Sequence, residues 1–253
     1  MPQPDDRNAV YMPLFSALWA IARGEHDDVR HFNTGTLFWS LTRLFGCYER
    51  VMSVLHLPRD ARPFLDADVE SFIIRFRIVM NDLAYAVRLL MPQHARGLSA
   101  PTGETHPKNR EMSVFKLANF LQSNSHDYPE FSTTFARATP WMTRLKNDRD
   151  SVIHYKAMVE IFEGDPLTFA LSNAAGTERR KPRVGGGTKR SLEPVGEFVN
   201  DQLLSLYSFM NEELLKAIEA HATRYKLKLG PGGSGFHITG PGIARFRATN
   251  DLR

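Results

Sequence analysis

Arg149 and His154 stand five positions apart in the run Asn147-Asp148-Arg149-Asp150-Ser151-Val152-Ile153-His154-Tyr155, inside a helical hydrophobic pattern. A guanidinium fork can hold a phosphate through two oxygens and stabilise charge developing on it. An imidazole, with an unperturbed pKa of about 6.5, can accept or donate a proton at neutral pH. On a helix the two side chains are set roughly 140° and roughly 7.5 Å apart, so they flank one face rather than stack on it. Asp150 lies four residues before His154, where an i,i+4 pair can hold the imidazole. Arg149 also falls near the apolar stripe of Trp141, Leu145 and Val152, at a place where a hydrophobe belongs.

The spacing alone decides little, because with this many arginines and histidines roughly one such pair arises by chance. Allowing one further residue, Arg50 with His56 and Arg88 with His94 also qualify, but they lie at helix ends beside Pro58 and Pro92 and read as structural. What sets Arg149 and His154 apart is context: a helix led by Trp141, Asn147 before the arginine, Asp150 directly after it, and Tyr155 directly after the histidine.

The elements that must position this stretch are helices. The run from Asn8 to about Arg23 is apolar at helical spacing and stops at Gly24, and a second helix covers about Thr36 to His56. A third, with Asp68 as N-cap, carries Val69, Phe72, Ile73, Phe76, Met80, Leu83, Val87 and Leu90 on one long stripe, which places it at the centre. Arg75 and Asp82 lie two turns apart on one side of it, with Arg77 and Asn81 nearby. They are candidates to support the motif, although an exposed face with an ion pair explains them as well. Residues 92–110 read as a polar surface loop, 111–122 as a helix, and another helix starts near Tyr128, where Pro140 either kinks it or opens a new one.

After Tyr155 the period changes. Met158 to Glu163 and Leu167 to Leu171, around Gly164-Asp165-Pro166, predict a short hairpin. The fold class is therefore all-α, an antiparallel helical bundle with a short β-hairpin after the motif helix and a long C-terminal helix. Residues 1–172 form the bundle. Residues 173–193 form a basic flexible loop whose Arg179, Arg180, Lys181, Arg183, Lys189 and Arg190 are candidate phosphate contacts, with a plain solvated loop as the other reading. Residues 194–225 form the long helix, and 226–253 a Gly- and Pro-rich tail that reads as a basic arm more than a folded element.

Composition limits the function classes. The chain has 253 residues, 42% hydrophobic and 24% charged, with a modest net charge of +4 that is compatible with a polyanionic partner. Cys47 is the one cysteine, so no internal disulfide forms, and it reads as a small core residue. The start, Met1 to Arg7, lacks the basic segment and apolar run of a secretion signal, and no stretch reaches membrane-spanning length, so a cytoplasmic location without membrane contact is expected. Glu25 to His31 gathers ligand-type side chains, but in no common metal spacing, and the glycines near residues 185 and 230 match no phosphate-loop or dinucleotide pattern. No cofactor or metal is called for.

The run RDSVIHY, preceded by the helix ESFIIRFRIVMNDLAYAVRLL, resembles the HEPN superfamily of all-helical prokaryotic proteins, many of them ribonucleases. Its hallmark is arginine and histidine separated by four to six residues, commonly with a polar residue after the arginine. The resemblance covers residues 35 to 160. It implies a bundle that dimerises so that two motifs face one cleft, with Arg149 as the motif arginine, His154 as the motif histidine and Asp150 as the intervening polar residue. It further implies metal-independent cleavage of RNA by its 2′-hydroxyl, giving a 2′,3′-cyclic phosphate, in a toxin or defence effector restrained by a regulatory partner protein. A subset of the family carries a modifiable tyrosine two places after the histidine; here that place is Lys156, and Tyr155 is its neighbour. The alternative is a non-catalytic helical module of the same kind that docks RNA or a partner protein.

Overall fold

The computed structural model describes residues 9–91, 113–155, 158–172, 192–230, 236–240 and 242–252. The chain is mostly helical, with two small sheets of short strands. Its elements are β1 (Ala9–Tyr11), α1 (Pro13–Gly24), α2 (Asp28–Val54), a short 3-10 turn (Arg59–Ala61), α3 (Leu65–Leu90), α4 (Val114–Ser123) and α5 (Pro129–Tyr155). They are followed by β2 (Met158–Phe162), β3 (Thr168–Ser172), β4 (Glu193–Pro194), α6 (Val195–Ser208), a π-helical turn (Phe209–Leu214), α7 (Leu215–Arg224), β5 (His237–Thr239) and α8 (Ile243–Thr249).

Helix α3 is buried on most of its circumference, from Val69, Phe72, Ile73 and Phe76 through Val79, Met80, Leu83, Ala84 and Ala86 to Val87 and Leu90. A helix with so wide a buried face must be covered on several sides. Here α2, α4, α5, α6 and β2 all pack on it. Its C-terminal end is buried too, so carbonyls left without intrahelical partners must be satisfied by side chains. Arg30 Nε of α2 donates to the Leu89 carbonyl at 2.9 Å, and His221 Nε2 of α7 bonds the Leu90 carbonyl at 3.2 Å. Burial lowers the His221 pKa, which favours the neutral ring with its proton on the nitrogen facing that carbonyl.

Local chemistry sets the helix starts. Asp27 caps α2 by accepting from Arg30 N at 3.1 Å, and Ser113 caps α4 by accepting from Lys116 N at 3.2 Å. Thus α2 begins well before Thr36, and the Glu25 to His31 segment serves its first turn. Asp27 is the cap, His31 stacks on Trp19 at 4.6 Å, and the Glu25 carboxylate accepts from Lys228 N at 2.6 Å. Asp68 falls inside the first turn of α3 rather than at its cap. The hairpin forms where its period predicts, β2 pairing antiparallel with β3 and Val159 opposite Leu171, and β4 adds a third strand. Pro140 neither breaks α5 nor opens a new helix: it lies exposed within one continuous element, which needs only to forgo its missing N–H.

The tail corrects the sequence reading. It is not a free basic arm: β5 pairs with β1, Val10 opposite Ile238, and α8 buries Ile243 and sets Phe246 against Phe45, Tyr48 and Tyr207. Its described arginines are engaged as well, Arg245 by both oxygens of Glu49 and Arg247 by the Leu252 carbonyl. The N-terminal run likewise opens with strand β1 before α1. The long helix expected over 194–225 is present as α6, the π-helical turn and α7 in succession.

The segment that follows α7, at Lys228 to Gly230, crosses α1 so closely that a side chain has no room. A Cβ at Gly24 would overlap the Lys228 carbonyl and lie 2.6 Å from the Gly230 nitrogen, while Gly230 N donates to the Ala20 carbonyl at 2.8 Å. Gly24→Ala should therefore cost about 1–3 kcal/mol through overpacking. Gly35→Ala in α2, where a Cβ meets nothing within 4 Å, should stabilise by about 0.5–1 kcal/mol through helix propensity. Denaturant melts of the two variants beside the parent check both signs.

Candidate functional site

Helix α5 carries the motif, and its packing explains the position of Arg149. Phe131, Phe135, Ala138, Met142 and Leu145 are buried at alternating four- and three-residue steps. The rings of Phe135 and Trp141 meet Phe209 at 5.6 and 5.9 Å, and Trp141 meets Phe76 of α3 at 6.1 Å. The next step along the stripe is Arg149. There the core gives way to a charged side chain, 30% exposed, whose Nη1 bonds Asp150 Oδ1 at 2.9 Å.

Around this pair the structure gathers further cations. Arg77 of α3 lies 4.9 Å from the Phe115 ring centre and Lys146 of α5 lies 5.0 Å from it, so one aromatic side chain of α4 receives a cation from each of two helices. Arg77 is half-buried and its pKa is lowered, by burial first; Asp150 acts in the opposite direction and Arg149 reinforces the lowering. Asp150 and Arg149 are therefore the charges that Arg77 feels. The α3 residue shown beside the motif is Arg77.

The supporting residues named from the sequence are placed differently. Arg75 and Asp82 do share one side of α3, and it is the side toward α2: Ser40 donates to Asp82 at 2.6 Å, and the Arg75 charge acts on Cys47. Asn81 turns toward α4, accepting from Val114 N at 3.3 Å. Asn147 is exposed two residues before Arg149, and His154 and Tyr155 close α5. The side chains of Ser151, His154 and Tyr155 lie outside the described residues, as do Arg179, Arg180, Lys181, Arg183, Lys189 and Arg190. Of the competing pairs, Arg50 bonds Asp68 at 2.6 Å across α2 and α3 while His56 is exposed, and Arg88 is buried at the end of α3. Cys47 is a buried free thiol.

Sequence reasoning overlooked the chemistry of Asp148. It sits on another face of α5, beside Arg144, which forms an ion pair with Glu193 of β4 and lies over Phe198. Burial, reinforced by Glu193 and opposed by Arg144, pushes the Asp148 carboxyl up to about 6. Of the missed residues, Lys146 was legible, because it precedes Arg149 and Asp150 by three and four positions on one helix face. Phe115 was not, since only tertiary packing brings it to α5.

An open cavity of ≈ 590 Å³ between the Arg59–Ala61 turn and β2 is lined by charges of both signs, among them Arg62 and Glu163, which pair with each other. It offers less to an anion than the Arg77, Lys146 and Arg149 group. Among the described residues no cluster of three or more His, Cys, Asp or Glu is placed to hold a metal, and no helix is long and apolar enough to cross a membrane. No protein-family model, no curated protein and no solved structure matches the chain.

The raised Asp148 pKa has a definite sign in stability. Below the free-group value of 3.8 both folded and unfolded states hold the proton and nothing is lost. As pH rises from there to about 6 the unfolded chain ionises first, and above that the folded state carries the full penalty of a buried charge. Asp148→Asn should thus stabilise the protein at pH 7.5 by on the order of 1–2 kcal/mol once solvent screening is allowed for. The gain should fade toward pH 4, which unfolding midpoints measured across this range will show.

Proposed function

We propose that the protein is a metal-independent endoribonuclease of the HEPN type, acting as a homodimer and serving as a toxin or defence effector. The observation that carries this reading is the fate of the α5 stripe: where its packing would continue, the chain presents a half-exposed arginine amid other cations rather than a buried one. A structural arginine would close the stripe. One left at the surface beside Arg77 and Lys146 suits a phosphate.

In this reading the helices form the antiparallel bundle of that superfamily, and two copies set their motifs across one cleft. Arg149 binds the scissile phosphate and stabilises the charge that builds on its non-bridging oxygens. Asp150 orients the guanidinium. One His154 takes the proton of the RNA 2′-hydroxyl, whose oxygen bonds to phosphorus as the bond to the 5′-oxygen breaks. The other His154 gives a proton to that leaving oxygen. The products are a 2′,3′-cyclic phosphate and a 5′-hydroxyl, with no net redox change and no requirement for a metal. A regulatory partner protein would restrain such an activity in the cell.

Incubation of the protein with total RNA in EDTA tests the proposal. Cleavage yielding cyclic phosphate ends is expected, with Arg149→Ala and His154→Ala each slower by about 10²-fold or more. Sedimentation should show a dimer. Equal integrity of RNA with parent and variants would remove the nuclease, and RNA retention without cleavage would favour a non-catalytic binding module.

A further inference from the structure

Phe115 and its two cations are not explained by packing alone. A guanidinium and an ammonium, both about 5 Å from one ring centre, lie within about 10 Å of each other and repel. The face of an aromatic ring attracts each of them by about 0.5–2 kcal/mol, which holds them in place without neutralising either. Among the described residues neither Arg77 nor Lys146 has a carboxylate within ion-pair distance; the carboxylate that Arg77 feels, Asp150, is bonded to Arg149. Phe115 is also the second residue of α4, so the positive end of that helix dipole adds to the same region. The outcome is a half-buried surface with three cations and one carboxylate from α3 and α5, set around an aromatic ring from α4.

We infer that Arg77 and Lys146, held against Phe115, form a phosphate subsite for single-stranded RNA, binding a backbone phosphate next to the one that Arg149 engages. This rests on the proposed function for the identity of the RNA, but the charge arrangement itself does not depend on cleavage. The ring is a support for the cations rather than a stacking platform for a base, so the subsite reads the backbone and not the sequence. Burial of Arg77 without a bonded counterion gives an arriving phosphate a charge to pair with at little cost in further desolvation.

The test uses the full chain carrying His154→Ala, so that binding is measured without cleavage, with a fluorescent single-stranded RNA in EDTA at several salt concentrations. Adding Arg77→Gln and Lys146→Gln should weaken binding by at least about tenfold and flatten the salt dependence by about 1.4 in log–log slope, the loss of two phosphate contacts. Arg137→Gln, which removes the same charge from an exposed site elsewhere on α5, should leave the slope unchanged. Lys146→Gln alone repeats the measurement without touching the half-buried Arg77, and should remove about half of the slope change. Unchanged affinity and slope in both variants, or no RNA binding by the parent, would overturn the subsite. RNA binding that depends on Arg77 and Lys146 in a protein that never cleaves would keep the subsite and remove the nuclease. Cleavage indifferent to both residues would do the reverse.

Discussion

The need to cover helix α3 organises the rest of the molecule. Its apolar residues make a wide face that must be kept from water, so α2, α4, α5, α6 and β2 all find places around it. Even its buried C-terminal end is closed by side chains from two other helices, Arg30 and His221, which complete the hydrogen bonding that the helix cannot supply for itself. Each covering element inherits an orientation from this arrangement. For α5 the inherited contact is Trp141 against Phe76, and that contact determines which residues of the following turns face α3 and α4.

The charge group around Arg149 follows from that placement. Buried cations are costly unless paired, and half-buried ones are tolerated when an aromatic face, a helix N-terminus or a carboxylate lies close. Here all three are present, as Phe115, the start of α4, and Asp150. The carboxylate on the opposite side of α5, Asp148, shows the complementary effect. Desolvated by burial and near the acid Glu193, it resists ionisation despite Arg144, whereas Asp150 has an arginine bonded to it. Two acids of one short run therefore meet different environments because the helix turns them to different neighbours.

Much of this was readable from the chain. The stripe of α3, the hairpin after Tyr155 and the interruption of the α5 stripe at Arg149 are periodic signals, and each element lies where its period predicts. The tail was not readable in that way. Three residues of β5 and a pair, Ile243 and Phe246, are too short to establish a period, and their burial depends on β1 and α2, more than two hundred positions away for the strand. The start of α2 was missed because its first turns contain charged and polar residues whose burial, as with Arg30 and Asn33, is satisfied by distant partners or packing rather than by local pattern. At the site, Arg77 was visible as a neighbour, but choosing it over Arg75 required knowing which side of α3 faces α5.

The pairing of β1 with β5, with Gly24 pressed against the segment at Lys228 and Gly230, has a consequence for synthesis. Strand β1 is made more than two hundred residues before its partner, so the register Ala9 to Thr239 cannot exist until Thr239 has been translated. At ribosomal rates that is a delay of roughly ten to fifty seconds. Helices α2 and α3, adjacent in sequence and in space, face no such wait. The nascent protein thus holds a helical centre whose first strand lacks its mate until the two ends of the sheet close together.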